Sequence, residues 1–396
     1  MAKLRSVSKD VHGIPGPEID VRAIERELAA LWSASEAVEI GNTEVLPTRT
    51  SVLNLVIYAP SQELSNRATR VIESLATYHP SRVIIFSVTE DPRSFDSDID
   101  AHVSSYCRID SPEHVATCVE QVTIAVLPNE LHAFPSIVAP LTLPGLPTFL
   151  WWMGQPPLSD PRFGQVLLAA DRLILDSSEF TRPLSSLVRE ADFCRQQGGQ
   201  CMISDLNWAR LTAWRETIAQ FFDIPECRWT LEYITRIVIR YGRVERRPDN
   251  PTQALLLIGW LSDRLGWRMD ALERQSEESW TFTLMEPGGR SLVVTLSGQH
   301  IPPEFDGYLL TVSLAASDGV QSAHLDASRV GDLNAIRMIA RTEGELRVER
   351  ATDGSPPALH RLLISELEMV VRDRIFERSL QEAKRYAVWI GKQAEL

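Results

Sequence analysis

Five arginines fall within twelve residues of an acidic chain: Arg236, Arg240, Arg243, Arg246 and Arg247. Guanidinium forks match phosphate and carboxylate groups two bonds at a time, so Arg236, Arg240 and Arg243 are candidates for an anion site. A solvated strand edge running into a turn is the competing reading, because positive charge there blunts edge pairing.

Other chemistry is sought and not met. Dinucleotide binding needs glycines two positions apart, so that the backbone turns tightly and approaches a pyrophosphate. None of the 20 glycines is so placed, no two lie four apart as a nucleophile elbow requires, and the only Gly-Lys pair is Gly391-Lys392. Asp96-Ser97-Asp98-Ile99-Asp100 opens like a calcium loop, but its sixth position is Ala101 and its twelfth is Cys107. It reads as a solvated acidic loop. The eight histidines are scattered, and Cys194 and Cys201 stand seven apart, unlike structural zinc ligands. His132, with Glu130 as orienter, is a candidate base whose default role is structural. No catalytic residue, cofactor or metal is expected.

Residues 131–159 contain no Asp, Glu, Lys or Arg, and six prolines interrupt them. Such proline density forbids a membrane-spanning helix, whose backbone must be satisfied internally. Trp151, Trp152 and Met153 sit inside this stretch. Charge depletion with tryptophan enrichment is the composition of an interface core, so these three are candidate partner contacts. Core closure over the strand ends is the alternative, since adjacent strand residues point to opposite faces and one tryptophan could do each job.

These groups need elements to hold them. With 396 residues the chain is long enough for two or three domains, and 44% apolar with 23% charged residues describes a globular one. A net charge of −13 repels phosphate backbones, which argues against nucleic acid as a partner. Five cysteines at irregular spacing do not form a disulfide framework, and the amino terminus lacks a secretory or transit pattern. A reducing cytoplasm is the expected compartment.

The spacing predicts a helix over 18–38, then buried strands at 51–59 and 82–88 around a helix over 61–79 that Pro80 terminates. Strand-like runs at 119–126, 148–152 and 172–176 extend this into a three-layer α/β domain with a mostly parallel sheet. An α+β domain follows. It has a helix over 204–222, β-branched residues at 231–241, and a helix over 253–267 opened by Pro251. A hairpin turns at Pro287-Gly288-Gly289, further antiparallel strands lie at 308–314 and 345–351, and one long helix spans 359–390. The expected division is a helical arm over 1–45, the α/β domain over 46–200 and the α+β domain over 201–396.

Ser204 or Asp205 is expected to cap the 204–222 helix, and Trp208 to lie in the seam between domains. Taken in order, TRTSVLNLVIYAP (48–60), LPTFLWWMGQPP (146–157), SDLNWARLTAWRETIAQFFD (204–223) and ALLLIGWLSDRLGW (254–267) resemble the OpcA family of glucose-6-phosphate dehydrogenase assembly proteins. Asp205, Asn207 and Trp208 of the Asp-Leu-Asn-Trp segment are the most distinctive match. The resemblance implies a non-catalytic, cytoplasmic partner that assembles and activates glucose-6-phosphate dehydrogenase, supporting NADPH production in the oxidative pentose phosphate pathway. A sugar-phosphate protein using Arg236, Arg240 and Arg243 is the alternative.

Overall fold

The computed structural model describes residues 3–11, 21–33, 38–40, 43–45, 51–76, 78–89, 99–109, 117–127, 134–197, 199–276, 279–369 and 371–394. Contacts divide the chain into two units with interleaved sequence. The first comprises Met1–Asp176, Gln197–Ser204 and Ala358–Arg372; the second comprises Ser177–Gln196, Asp205–Pro357 and Asp373–Leu396.

The first unit contains β1 (Lys3–Val11), α1 (Val21–Ser33), the small ladder β2 (Val38–Ile40) and β3 (Thr43–Val45), β4 (Leu53–Ala59), α2 (Gln62–Leu75) and β5 (Ser81–Val88). Then come β6 (Ile99–Ile109), β7 (Thr117–Val126), α3 (Phe134–Leu141), β8 (Thr148–Trp152), α4 (Pro161–Val166), β9 (Arg172–Leu175) and β10 (Met202–Asp205, up to Ser204). The eight strands of its large sheet run in the order β1-β6-β7-β5-β4-β8-β9-β10. Pairing from β7 through β5, β4 and β8 to β9 is parallel, while β1 and β6 add an antiparallel edge. The near-continuous apolar runs of β4, β5 and β8 are buried on both faces, as parallel strands between helical layers must be. Helix α2 opens on Ser61, whose hydroxyl accepts the Leu64 N–H, and ends at Leu75, ahead of Pro80.

Arg82 lies fully buried on β5. It pairs with Glu120 at 2.7 Å and with Glu25, and donates to the Leu141 carbonyl. A buried guanidinium is tolerated because its donors are met this way. Cys118 on β7 is disulfide-bonded, and its register partner on β6 is Cys107. Cys194, Cys201 and Cys227 are free and buried.

The second unit holds α5 (Pro183–Gln197, up to Gln196), α6 (Leu206–Arg210), α7 (Thr212–Asp223), β11 (Ile234–Arg243), α8 (Thr252–Leu265), β12 (Arg268–Ser276), β13 (Ser279–Met285) and β14 (Ser291–His300). It continues through β15 (Leu309–Ser317), β16 (Ser322–Val330), β17 (Ala335–Thr342) and β18 (Glu345–Asp353). The chain then returns to the first unit as α9 (Leu359–Glu368) and closes in the second as α10 (Arg374–Ala394). The sheet order is β12-β13-β14-β11-β15-β16-β17-β18, antiparallel except for the parallel pair β11 and β14. Helices α7, α8 and α10 pack on this sheet or on one another. They cover the face that carries Ile237, Ile239, Tyr241, Val294, Val312 and Leu325.

Two helices read from the sequence as continuous are broken. The segment 204–222 begins as the last residues of β10, and α6 gives way to α7 at Leu211, where ψ is −3°. The segment 359–390 divides into α9 and α10 because Arg172 holds the intervening chain. The fully buried Arg172 guanidinium donates to the carbonyls of Met369 at 2.7 Å and Val371 at 2.9 Å, and to the Ser204 hydroxyl at 2.6 Å. Carbonyls committed to a side chain in this way do not continue a helix. Asp373 then caps α10, accepting the N–H groups of Ile375 and Phe376 at 2.9 Å each.

Candidate functional site

The Asp-Leu-Asn-Trp segment is the hub of a buried polar network within the second unit. Asp205 Oδ1 accepts the N–H groups of Asn207 and Ser177 at 2.9 Å each, and Oδ2 accepts the Ser177 hydroxyl at 2.6 Å. Asp205 is thus the cap of α6, as one of the two expected residues. Asn207 donates to the Ser177 hydroxyl at 3.1 Å and accepts from Gln253 of α8 at 2.8 Å. Gln253 in turn accepts the Leu309 N–H of β15 at 3.1 Å. One chain of hydrogen bonds therefore links α6, α8 and β15, and each of these polar side chains is buried. Networks of this kind specify one arrangement because every alternative leaves a buried donor or acceptor unmet.

Trp208 extends the hub. Its indole N–H donates to Asp373 at 3.0 Å, the Arg215 guanidinium lies 3.6 Å above its ring centroid, and Phe376 packs beside it. All four residues belong to the second unit.

Trp151, Trp152 and Met153 are buried, at 2%, 2% and 1% exposure. This corrects the partner-contact reading: no free surface is offered by these side chains. The physical reason is strand placement. β8 lies between β4 and β9 and is parallel to both, so side chains on both of its faces are covered. Trp152 stacks on its register partner Tyr58 with ring centroids 3.8 Å apart, and meets Phe163 edge-on at 4.8 Å. The three rings stand at the carboxyl ends of β4 and β8. That is where the chain order of the parallel sheet reverses, and where open α/β sheets ordinarily receive a ligand.

The arginines do not converge. Arg236 and Arg240 are exposed on one face of β11, whereas strand alternation puts Arg243 on the other. Arg246 stands at the surface with φ 62°, and Arg247 pairs with Asp306 at 3.8 Å. The three-arginine anion site is thereby corrected to a pair on the sheet face. Glu130, His132 and Asp96–Asp98 lie outside the described residues. Among the described residues, no group of three His, Cys, Asp or Glu side chains could hold a metal ion. No helix among them is long and apolar enough to cross a membrane.

Ser177, Gln253, Asp373, Tyr58 and Phe163 are missed by reasoning from sequence. Only Gln253 carries a signal, as an amide heading the apolar run Ala254–Ile258.

Comparison with known proteins matches two family models. The glucose-6-phosphate dehydrogenase subunit N-terminal domain matches residues 72–192, and the C-terminal domain of the same subunit matches residues 201–380. An OxPP cycle protein, OpcA of Synechococcus elongatus, is 37% identical over 195 residues, covering 49% of this chain and 41% of its own. OpcA of Nostoc punctiforme is 31% identical over 215 residues, or 54% of this chain and 44% of its own. OpcA of Synechocystis is 28% identical over 330 residues, or 82% and 66%. The matched region thus spans less than half of the first two relatives. Among solved structures, a 3-ketoreductase from Actinomadura kijaniata is similar at a TM-score of 0.46 and 10% identity, covering 84% of this chain and 94% of its own. An oxidoreductase from Sinorhizobium meliloti is similar at 0.45 and 11%, covering 87% and 90%. No activity follows from likeness at that level.

Proposed function

The chain belongs to the OpcA family of glucose-6-phosphate dehydrogenase subunits, and from that premise we propose that it is a non-catalytic, cytoplasmic assembly partner that activates the dehydrogenase. Through that enzyme it supports NADPH formation in the oxidative pentose phosphate pathway. The observation that carries the reading is the pair of subunit-domain matches, one in each half of the chain. Two features of the molecule support it. The sequence holds no glycine fingerprint for a dinucleotide. At the ligand position of the parallel sheet stand the stacked rings of Tyr58 and Trp152, with Phe163 edge-on to the latter.

Activation needs no chemistry from the partner. It has only to bind the active oligomer or conformer more tightly than the inactive one. A tenfold shift of that balance takes about 1.4 kcal/mol of differential affinity. Few contacts suffice.

The test is an assay of NADPH formation with the purified chain alone and then titrated into its cognate dehydrogenase. The chain alone is expected to be inactive, and the mixture to show a higher kcat or a lower KM for the sugar phosphate. Turnover by the chain alone that survives repurification and vanishes on Arg240→Ala would replace this reading with a sugar-phosphate enzyme.

A further inference from the structure

One face of the second unit's sheet carries exposed and half-buried residues on β11, β14 and β15. β11 runs through its middle, between β14 and β15. Ile237, Ile239 and Tyr241 turn to the helices, which leaves Arg236, Val238 and Arg240 on the open side. Register carries this side across the sheet. Val238 stands beside Thr295 and Ser313, Arg236 beside Val293 and Ala315, and Arg240 beside Ser297 and Thr311. Small and β-branched side chains thus pave a broad surface around two arginines.

Those two arginines are the anomaly. Arg236 and Arg240 are exposed and make no hydrogen bond or ion pair among the described residues. Two other arginines of the face are matched within the chain. Arg341 pairs with Asp326 at 3.7 Å, and Arg337 with Glu349 at 2.6 Å. Cations unpaired at the centre of a sheet, in a protein of net charge −13, mark a local reversal of sign.

We infer that this open sheet face, centred on Arg236 and Arg240, is the docking surface for a carboxylate-bearing patch of the dehydrogenase. The inference rests on the proposed partnership with that enzyme and assigns its contact face. Area agrees. Eight strands about 4.8 Å apart and three rows of outward side chains span on the order of 700 Å², close to the ~800 Å² per partner of a stable complex. Spacing agrees as well. Four residue steps along the strand set the arginine Cα atoms about 13 Å apart, which suits two carboxylates on one surface better than one small anion. A second copy of this chain is the poorer occupant. It would bring the same two free arginines, and on the described part of the face Asp326 and Glu349 are already paired, which leaves Glu273 at the sheet's edge to meet them. Opposite charge at such a face sets orientation and encounter rate, so binding should weaken as salt is raised.

The experiment measures the affinity of the full chain for its cognate dehydrogenase by calorimetry. It compares wild type, Arg236→Glu with Arg240→Glu, Arg236→Gln with Arg240→Gln, and Arg70→Glu as a single charge reversal at an exposed position of α2 in the other unit. The Glu pair is expected to weaken binding at least about 30-fold and the Gln pair about 5-fold, with Arg70→Glu unchanged. Circular dichroism checks folding; if the Glu pair does not fold, the Gln pair decides. A folded pair of variants that binds like wild type overturns the docking face and leaves the partnership standing. Wild type that does not bind the dehydrogenase overturns both. Competition by inorganic phosphate beyond that of chloride at matched ionic strength, or a homodimer that the Glu pair dissolves, would also overturn it.

Discussion

The indole N–H of Trp208 donates to the carboxylate of Asp373 at 3.0 Å, across 165 positions of sequence. The other oxygen of that carboxylate accepts the first free N–H groups of α10. A single side chain therefore starts the last helix and fixes the tryptophan that follows the Asp205 cap. Trp208→Ala is expected to lose about 3–5 kcal/mol of stability, as for a buried tryptophan left as a cavity. Asp373→Ala is expected to lose about 1–3 kcal/mol, from the cap and the unmet indole donor. In a denaturant-based double-mutant cycle the two losses should fall short of additive. Additive losses would mean that the pair does not interact.

Asp205 gathers three donors, two of them from Ser177. Asp205→Ala would strand all three in a buried site, so a loss of about 3–5 kcal/mol is expected. Ser177→Ala should cost less, because it removes one hydroxyl and leaves the backbone donor paired. Urea midpoints of the two variants give the order. A smaller effect for Asp205→Ala would show that water replaces the network.

Gly259 inverts an ordinary rule. Alanine usually stabilises an exposed helix interior by about 1 kcal/mol over glycine. Here a Cβ would stand 2.3 Å from the Ser379 carbonyl oxygen and 2.8 Å from the Ala383 N, both on the backbone of α10. Gly259→Ala is therefore expected to destabilise by about 2 kcal/mol or more, since packed backbone cannot yield as a flexible side chain does. A thermal melt that rises on this substitution would contradict the close crossing of α8 and α10.

Burial pushes the Cys201 thiol up to about 11 from 9.0. The folded chain keeps the proton at pH values where the unfolded chain has lost it. This contribution is thus complete below pH 9 and is lost as pH rises towards 11. The loss should be on the order of 2 kcal/mol and absent from Cys201→Ala, measured as the difference between the two stability profiles. The thiol should also resist alkylation at neutral pH, because the thiolate is the reacting species. Rapid modification of the folded chain would refute this.

Much of the fold can be read locally. Continuous apolar runs mark β4, β5 and β8; Pro287-Gly288-Gly289 marks the turn between β13 and β14; Pro251 marks the start of α8. Where reading fails, long-range placement is the cause. The tryptophan pair looks half exposed by strand alternation, but a parallel strand with neighbours on both sides buries both residues. Helix α3 is hidden in the proline-rich stretch because Pro135 falls at its second residue, where a missing N–H costs nothing, and Pro140 at its last but one. The inward residues of β16, Ala323, Leu325 and Ala327, are mostly too small to announce a strand. Asp205, Asn207 and Trp208 stand out as a motif, yet their partners at 177, 253 and 373 follow only from the fold.

The grip of Arg172 on the carbonyls of Met369 and Val371 sets a timetable for biosynthesis. During synthesis, Arg172 leaves the ribosome nearly two hundred residues before its acceptors do. A guanidinium cannot be buried while those acceptors are missing, so β9 must wait, hydrated, for the returning segment. By then every strand of the second unit, through Asp353, has already been made. The unit that begins first is completed late, and a chain released before residue 372 would carry its opening half unfinished however well the rest had formed.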